Sequence, residues 1–403
     1  MWNWDEDCVL SPDCCSSALL AFRRKVRLFV ETEISPYVAD WDLAGSIPST
    51  LVPKAAAAGL YCPLWPVSMG GTPPQGMTAS PDLIPYFDFI WQDEMARCGT
   101  SGLVMGGFIS VQLGFPPVLT AGLAGGEHLT KKFATQVASG LKKVAFAVTE
   151  PYGGSDVAAI RTTADLSSDK SHFLLNGEKA FITGALSADF IVVAAKEGEL
   201  GLTLFFVDAK ASGVSMDRVA TQGWCLSETT RVVFENVQVP LAMKVGESGK
   251  AFKYIMHNFN HERLIGCFGA ARLARVCLED ATEYARNRWT FGKKLIDHQV
   301  IRHKLAEMAR VVLANHALNM TLLKAFASLP QAQVAPLIAL GKVHSTKNLE
   351  FVAREASQIL GGKSFLRGDG PGGRIERIYR EVRVLAIGGG SEEILIEFAS
   401  RMI

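Results

Sequence analysis

The spacing of hydrophobic and polar positions changes twice along the chain. Residues 17–32, 81–98 and 103–119 carry apolar side chains at the three- and four-residue intervals of an amphipathic helix. A loop rich in Gly, Pro and Ser, residues 69–81, separates the first of these segments from the other two. The first third of the chain is therefore predicted to be helical.

The middle of the chain has the pattern of β-strands. Between residues 144 and 240, short runs rich in Val and Phe, such as VAFAVTE, DFIVVAAK and LTLFFVDA, are separated by turn signals. Asn176 and Gly177 lie between two such runs and predict a type I′ hairpin turn. We therefore predict a small antiparallel β domain in this region.

Long helical periodicity returns in residues 253–288, 297–329 and 332–360. The order of helices, then strands, then helices differs from the strand–helix alternation of a doubly wound parallel sheet. The pattern predicts an α+β protein.

Composition excludes several classes of protein. The chain has 403 residues, 48% of them hydrophobic, and a formal net charge of +1, so it lacks the basic excess of an electrostatic nucleic-acid binder. No apolar run is expected to reach the roughly 18–20 residues of a membrane span. Eight cysteines form no CxxC pair, which argues against structural zinc and favours a reduced compartment.

The N-terminal sequence MWNWDEDC is acidic and resembles neither a signal peptide nor an Arg-rich transit peptide. We expect a cytoplasmic protein, or one of the mitochondrial matrix if a presequence is missing from this chain.

Three motifs that imitate ligand sites are discounted. The GDGPGG run at 368–373 satisfies GxGxxG, but it contains a proline and follows a helix, so we expect a loop. The GGKS run at 361–364 lacks the first glycine of a P-loop. His257 and His261 have the i, i+4 spacing of metal ligands, but the order is not HExxH and no third ligand is evident. We therefore expect no metal.

One face of the helix predicted around residue 262 is apolar or small except for a single carboxylate. Its positions are Phe252, Ile255, Phe259, Glu262, Gly266, Gly269 and Leu273. A carboxylate on a buried face is unfavourable unless it is paired or protonated. Two readings stay open: a salt bridge with Arg263 or a neighbouring helix, or a general base with a raised pKa. Gly266 and Gly269 would leave room for a ligand beside Glu262.

Two glycine-rich turns are also candidates for chemistry. AVTEPYGGSD, residues 147–156, leaves a strand into a turn whose backbone N–H groups could face an anion or a carbonyl. AIGGGSEEI, residues 386–394, could cradle a phosphate, cap a helix, or mark the loss of a larger side chain.

Together these stretches resemble the acyl-CoA dehydrogenase family over nearly the whole chain. AVTEPYGGSDV resembles the family's first signature, which contacts the flavin ring, and LNGEKAFIT resembles the segment on the other side of the flavin. The resemblance assigns flavin contacts to Phe146, Val148, Thr149, Phe181 and Thr183. Family members often have Trp where this chain has Phe181, so altered stacking with retained binding is expected. Ser155 would lie near the CoA tail.

The segment RNRWTFGKKLIDHQ resembles the family's second signature. In the family, this signature holds the FAD of a neighbouring subunit. Residues assigned to this role are Arg288, Thr290, Phe291 and Gln299. QILGG resembles the segment that contacts the adenosine half of the same FAD, through Gln358, Gly361 and Gly362. FAD binding then implies oligomerisation, usually a homotetramer built as a dimer of dimers.

The resemblance also implies the domain organisation. It predicts an N-terminal helical domain (1–143), a central antiparallel β domain (144–244) and a C-terminal four-helix bundle (245–403).

The resemblance also suggests why glycines occupy the C-terminal run. Many family members carry the catalytic Glu immediately before a Gly-Thr pair, but this chain, aligned on Ile394, has Gly389 there. The isovaleryl-CoA and long-chain branches also lack that Glu and place the base within an xxERx string. NHERL, residues 260–264, matches this string and puts Glu262 at the base position. Gly389 would then make room for the side chain that arrives from the helix.

The implied reaction is FAD-dependent α,β-dehydrogenation of an acyl-CoA thioester to a trans-2-enoyl-CoA. Glu262 would remove the α-proton, the Gly389 N–H and a flavin ribityl hydroxyl would bind the thioester oxygen, and the hydride would pass to flavin N5. An electron-transfer flavoprotein would reoxidise the flavin. The resemblance gives Asn260, Arg263 and Gly390 substrate contacts and gives Ser391 and Glu393 contacts with FAD.

Two alternatives remain. A flavin oxidase on the same scaffold would be of the nitroalkane type, which needs an acidic residue at position 389, or of the acyl-CoA oxidase type, which is usually much longer. A non-catalytic FAD-binding paralogue would be expected to lose every candidate base, and Glu262 argues against it. The acyl group is not specified, although Gly106 and Gly107, within the expected acyl-binding segment 103–114, could admit a bulky chain.

Overall fold

The computed structural model describes residues 12–77, 81–122 and 127–402. Seven helices make up its N-terminal part. They are α1 (Ser17–Phe29), α2 (Val38–Ala44), α3 (Leu51–Ala57), α4 (Ile84–Met95), α5 (Gly102–Ile109), α6 (Pro116–Ala121) and α7 (Glu127–Ala138). The predicted helices are present, but two are interrupted. α1 continues into a π-helical turn, Val30–Ile34, and another π-helical turn, Ser110–Gly114, separates α5 from α6.

The expectation that no apolar run reaches the length of a membrane span was wrong for one segment. Gly102–Ala121 is 20 residues long and apolar enough to span a membrane by length and composition, but 78% of its apolar window is buried inside the protein. Its hydrophobicity is explained by its place in the core, because aromatic side chains of other elements pack around it. Phe108, for example, lies against Tyr61 and Trp91, with ring centroids 5.5 and 5.1 Å apart.

A twisted sheet follows the N-terminal helices. Its strands are β1 (Val144–Ala147), β2 (Thr163–Leu166), β3 (His172–Ile182), β4 (Phe190–Lys196), β5 (Leu202–Asp208), β6 (Val214–Arg218), β7 (Thr230–Pro240) and β8 (Lys244–Val245). The order is β6-β7-β3-β2-β4-β5-β8, with β1 beside β4. Most pairs are antiparallel, as predicted for this domain, but β1 and β2 both pair with β4 in parallel.

The predicted turn at Asn176-Gly177 was also wrong. Both residues lie inside the eleven-residue strand β3, where the register with β7 shifts between Leu175 and Gly177. The Asn176 side chain accepts a hydrogen bond from the backbone N–H of Asn236 (2.7 Å), and a methyl group on Gly177 would lie 2.5 Å from the Thr162 hydroxyl oxygen. The pair therefore forms a bulge that lets a neighbouring segment approach closely.

The C-terminal part is again helical. It contains α8 (Ala251–Asn287), α9 (Gln299–Ser328), α10 (Gln331–Leu360), α11 (Gly373–Ile387) and α12 (Glu392–Ser400), and a two-stranded hairpin, β9 (Trp289–Thr290) with β10 (Lys293–Lys294). Helices α8 to α11 pack as a bundle, with the short α12 against α10. The α+β prediction with helical, β and helical parts is confirmed; the predicted domain limits stay a prediction.

A buried ionic cluster fixes α8 against the N-terminal helices. Arg272 on α8 donates to Asp93 on α4 (2.8 Å), and Arg23 on α1 donates to the same carboxylate (2.7 Å). Burial alone would raise the pKa of Asp93, but the two guanidinium groups hold it well below its usual value. Since such a cluster is costly to separate, the long helix α8 is held in one position.

Gly106 does not provide space for a ligand, contrary to the expectation for the acyl-binding segment. A methyl group at this position would lie 1.9 Å from the Leu226 carbonyl oxygen, because α5 packs directly on the backbone of the loop before β7. At Gly107, by contrast, the nearest atom would be the Ile47 Cδ1 methyl at 3.6 Å, an ordinary contact.

This difference predicts opposite effects of two neighbouring substitutions. Gly106→Ala should lower the free energy of unfolding by at least about 2 kcal/mol, because backbone must move to admit the methyl group. Gly107→Ala should be neutral or stabilising by up to ~1 kcal/mol, because Ala is the better helix former. Thermal and urea unfolding of the two variants measures both effects. Equal stability of Gly106→Ala and the unchanged protein would contradict the close packing.

Candidate active site

Helix α8 carries Glu262 in its N-terminal half, where the residue is half-buried. Burial raises the pKa of Glu262 to about 7. The hydrogen bond that Asn258 Nδ2 donates to Oε1 (2.8 Å) and the charges of His261 and Arg263 oppose this rise. Although its accessible surface is intermediate, the protein atoms packed around the carboxylate exclude enough water to disfavour its charged form.

The structure does not show the salt bridge that was one of the two interpretations of Glu262. Among the side chains that the structure describes, which do not include that of His257, no cation lies within ion-pair distance of its carboxylate. His261 pairs with Asp88 instead (2.6 Å), and Arg263 turns away toward Gly389. A carboxyl group with a pKa near neutrality and no ion-pair partner has the properties of a general base.

Space lies beside this carboxylate. Methyl groups on Gly266 and Gly269, one and two turns further along α8, would meet nothing within 4 Å. Ile255 and Leu273 on the same face are fully buried, whereas Phe252 is 55% exposed, so the predicted buried face is open in part. The face therefore packs into the core at Ile255 and Leu273 and leaves space at the two glycines that follow Glu262. The side chain of His257 lies outside the described residues, so the expectation that it forms no metal site with His261 stays a prediction.

The C-terminal glycines form a turn between α11 and α12. Gly389 and Gly390 have positive φ angles of 69° and 112°, which favour glycine. A methyl group on Gly389 would meet nothing within 4 Å, whereas one on Gly390 would lie 2.9 Å from Leu395 Cδ2. Space for a side chain therefore exists at residue 389.

Arg263 joins the base-bearing helix to this turn. Its Nε donates to the Gly389 carbonyl oxygen (3.1 Å), and its guanidinium lies 5.4 Å from the ring centroid of Phe259 and 6.0 Å from that of Phe398. Cation–π contacts on two rings fix the guanidinium plane. Arg263, the residue next to Glu262, thus ties the helix that carries Glu262 to the Gly389 turn.

Lys342, on α10, holds the same turn and was not predicted. Its Nζ donates to the carbonyl oxygens of Ala386 (2.7 Å) and Gly390 (2.8 Å). Burial lowers the pKa of Lys342 to about 8. The signal in the sequence was a lone lysine within the apolar run of a buried helix, but its partners, more than 40 residues away, could not be read from it.

The end of β1 presents an apolar face. Phe146 and Val148 are half-buried while Ala147 between them is fully buried, the alternation of a strand. The Thr149 carbonyl accepts from the backbone N–H of Ala180 (2.9 Å), which joins the turn to β3. One uncharged, accessible face of this kind fits a flat aromatic ring such as that of a flavin.

A buried ion pair supports the turn after β1, and sequence analysis missed it. Glu150 accepts from Lys179 Nζ (2.8 Å) and from the backbone N–H groups of Arg161 (2.6 Å) and Thr162 (3.0 Å). Burial raises the pKa of Glu150, but these hydrogen bonds outweigh it and leave the pKa below its usual value. Burial lowers the pKa of Lys179 to about 8. Both groups are therefore charged at neutral pH.

Phe181 lies at the end of the same strand, β3, with 66% of its surface exposed and a φ of 59°. A positive φ is unfavourable for an aromatic residue, and strained, exposed side chains of this kind are concentrated at functional sites. Thr183, two residues later, is half-buried. The aromatic ring is thus available for a planar ligand.

The residues assigned to a neighbour's FAD lie far from Glu262 within one subunit. α8 ends at Asn287, about 25 residues after Glu262, or roughly 37 Å along the axis. Beyond it, the β9–β10 hairpin exposes Arg288 and, with a φ of 49°, Phe291, which is 96% exposed. Thr290 is half-buried and Gln299 is exposed. The structure does not bring these residues to the base of their own chain.

The remaining predicted site residues fall into two groups. Asn260, two residues before Glu262, donates to the Gln331 side chain (3.2 Å), and Ser391, after the Gly389–Gly390 turn, is the residue that precedes α12. The others are exposed glycines or polar side chains: Ser155, Gln358, Gly361, Gly362 and Glu393. Gln358 and the two glycines lie at the end of α10, roughly 27 Å along the axis from Lys342.

Comparisons with known proteins agree with this architecture. Three family models match: Acyl-CoA dehydrogenase, N-terminal domain (residues 16–141), middle domain (145–237) and C-terminal domain (249–403). Acyl-CoA dehydrogenase AFT10-1 of Alternaria alternata is 35% identical over 391 residues, 94% of this chain and 89% of that protein.

Solved structures are also similar. An acyl-CoA dehydrogenase from Geobacillus kaustophilus superposes with a TM-score of 0.85 and 28% identity, over 95% of this chain and 97% of that one. An acyl-CoA dehydrogenase from Bacillus anthracis complexed with FAD gives 0.86 and 26%, over 97% and 67%. The chain belongs to the acyl-CoA dehydrogenase family and is an FAD-dependent oxidoreductase that acts on acyl-CoA.

Proposed function

We propose that this enzyme converts an acyl-CoA thioester to a trans-2-enoyl-CoA with Glu262 as the base that removes the α-proton. The observation that carries the proposal is the combination at Glu262 of a pKa near 7, no ion-pair partner among the described residues, and open space at Gly266 and Gly389. A base of this pKa is ionised in part at neutral pH and still accepts a proton readily.

The turn at Gly389 has a second role in this proposal. Its backbone N–H binds the thioester oxygen, on which negative charge develops as the α-proton leaves. Arg263 holds the turn through the Gly389 carbonyl, and Lys342 holds it through the carbonyls of Ala386 and Gly390. Both contacts are accepted by carbonyl oxygens, so they fix the turn without using the N–H of Gly389. That N–H is therefore held in place and stays available as a donor.

FAD, when bound, supplies the two-electron acceptor for the hydride that leaves the β-carbon. The exposed ring of Phe181 and the apolar face of Phe146 and Val148 are suited to orient it, with Thr149 and Thr183 as polar neighbours. Glu262 keeps the α-proton, so the substrate loses one proton and one hydride and gains a double bond.

The CoA portion is assigned to a cleft at the start of α8. The cleft has a volume of 390 Å³ and is lined in part by Val157, Lys196, Leu202 and Phe252. Phe252 is ten residues before Glu262, or roughly 15 Å along the helix, a distance that an extended pantetheine arm can span. Ser155, exposed two residues before Val157, lies near this entrance.

Glu262→Gln tests the base. Gln is nearly isosteric and uncharged, so the variant should keep its fold and its flavin while flavin reduction by acyl-CoA falls by at least about 10²-fold. The measurement is anaerobic stopped-flow bleaching of the flavin, with a panel of straight and branched acyl-CoA thioesters. Glu307→Gln makes the same exchange at an exposed carboxylate of α9 that pairs with Arg310, and it should change little. Normal flavin reduction by Glu262→Gln would exclude this base.

The pH dependence follows from the raised pKa. The ionised form of Glu262 is the active one, so the rate constant for flavin reduction should rise with pH through about 7 and level off above it. Because the folded-state pKa lies above that of an unfolded chain, the folded protein binds this proton more tightly, and the group reduces stability as pH rises toward 7. Glu262→Gln should therefore gain stability at pH 8 but not at pH 4. A rate independent of pH between 5.5 and 8.5 would contradict the assignment.

A homotetramer built as a dimer of dimers is part of the proposal. The β9–β10 hairpin exposes Trp289 (61%) and Phe291 (96%), and its distance from Glu262 in the same chain supports a role at a neighbour's FAD.

Arg288→Ala should weaken flavin retention, because a guanidinium contact with the pyrophosphate is lost. The expected result is flavin released on dilution together with dissociation of the oligomer, followed by absorbance and size-exclusion chromatography. Arg310→Ala, at an exposed arginine of α9 that pairs with Glu307, is the control. Full flavin occupancy of Arg288→Ala at high dilution would contradict the intersubunit assignment.

The electron acceptor is proposed to be an electron-transfer flavoprotein and not oxygen. This choice rests on the resemblance to dehydrogenases. Turnover in air should yield little hydrogen peroxide. Peroxide production as fast as turnover with an electron-transfer flavoprotein would favour the oxidase alternative.

A further inference from the structure

The backbone carbonyl of Gln112 has no helical hydrogen-bond donor, because prolines occupy the positions that would supply the N–H. Gln112 belongs to the π-helical turn Ser110–Gly114, and the residues four and five positions later are Pro116 and Pro117, which have no N–H to donate. The N–H of Phe115 is used by the Ser110 carbonyl (2.8 Å). Gln112 is buried, so its carbonyl needs a partner from another element.

Asn258 on α8 is that partner. Its Nδ2 donates to the Gln112 carbonyl oxygen (3.2 Å) and also to Glu262 Oε1 (2.8 Å), one turn away on the same helix. Both neighbours are acceptors, so the amide must present its nitrogen to them, and its two hydrogens serve one acceptor each. Asn258 is itself 9% exposed, which limits competition from water.

We propose that Asn258 is a positioning residue that uses the orphaned Gln112 carbonyl as an anchor to fix the orientation and proton affinity of Glu262. This inference rests on the proposed role of Glu262 as the base. The Gln112 carbonyl fixes the amide, and the fixed amide holds one carboxylate oxygen, which leaves the other for the substrate.

Other groups near the base do not replace this contact. His261 is adjacent in sequence, but its ring is hydrogen-bonded to Asp88 on α4. Arg263 is directed to the Gly389 carbonyl. Among the described residues, Asn258 alone donates a hydrogen bond to Glu262, so the direct hydrogen-bond control of its ionised form comes from this side chain.

Loss of the donor has two consequences. A hydrogen bond to a carboxylate favours its ionised form, so without it the carboxylate binds its proton more tightly. The side chain of Glu262 also gains rotational freedom, so a smaller fraction of the enzyme molecules holds the carboxylate in a reactive orientation. The first effect moves the pH profile, and the second lowers the rate at high pH.

The test uses Asn258→Leu as the FAD-loaded enzyme. The rate constant for flavin reduction is measured between pH 5.5 and 9.5 with octanoyl-CoA or isovaleryl-CoA, whichever reduces the unchanged enzyme faster. The acid limb of the profile should move up by about one pH unit, as expected for one hydrogen bond to a charged group. A limb that stays within 0.2 of a unit, roughly the error of such a profile, overturns the inference.

Asn319→Leu is the matched control. Asn319 is also buried, and its Nδ2 also donates to a main-chain carbonyl, that of Cys267 on α8 (3.2 Å). It contacts no carboxylate among the described residues, so its loss should lower stability without moving the acid limb. A shift as large as that of Asn258→Leu would show that any buried Asn of the bundle has this effect, and would overturn the inference.

A second readout is independent of turnover. Infrared titration follows the protonated-carboxyl band that is present in the unchanged protein and absent in Glu262→Gln, and its midpoint should rise by the same amount in Asn258→Leu. If the Leu variant loses its flavin, Asn258→Ala removes the same donor with less bulk and is measured in the same way.

Failure of the inference and failure of the proposed base are distinguishable. An inactive Glu262→Gln with an unmoved Asn258→Leu profile rejects only the former, whereas an active Glu262→Gln rejects the base itself.

Discussion

The contact between Arg263 Nε and the Gly389 carbonyl oxygen is the interaction on which the site depends. It joins residues that are 126 positions apart and places the helix that carries Glu262 against the turn that supplies a backbone N–H. Lys342 holds the same turn from a third helix. Further along α8, the Arg272–Asp93 cluster holds the helix against the N-terminal part. These contacts hold the proposed base and the proposed oxyanion donor in place before a substrate arrives.

The physical constraint behind this arrangement is that a reactive carboxylate must be partly deprived of water without being neutralised by a cation. An ion pair would hold the Glu262 pKa low and remove its basicity. The structure avoids this by directing the two nearby cationic side chains elsewhere, His261 to Asp88 and Arg263 to Gly389. A neutral donor, Asn258, supplies the hydrogen bond instead. Glycines at 266 and 389 keep the space that a larger residue would fill.

Local patterns in the sequence were sufficient for the helices, the strands and the isolated carboxylate, because each depends on periodicity within one element. They failed where a distant segment decides the conformation. Asn176-Gly177 has a turn sequence, yet it forms a bulge because Thr162 and Asn236 approach it. Gly106 looked like space for a ligand but is filled by the Leu226 carbonyl. Lys342 was missed for the same reason, since its partners lie in the C-terminal turn.

The central claim is that a carboxylate reaches the substrate α-carbon from α8 into space left open at residue 389. Moving the carboxylate tests it most directly: flavin reduction by acyl-CoA is measured for Glu262→Gly and for Glu262→Gly combined with Gly389→Glu. The account predicts a loss of at least about 10²-fold in the single variant and recovery of about tenfold or more in the double variant. Recovery should stay incomplete because Glu at a positive φ costs roughly 1–2 kcal/mol and a misplacement of about 1 Å slows the reaction. A single variant that reduces its flavin at the normal rate would contradict the account.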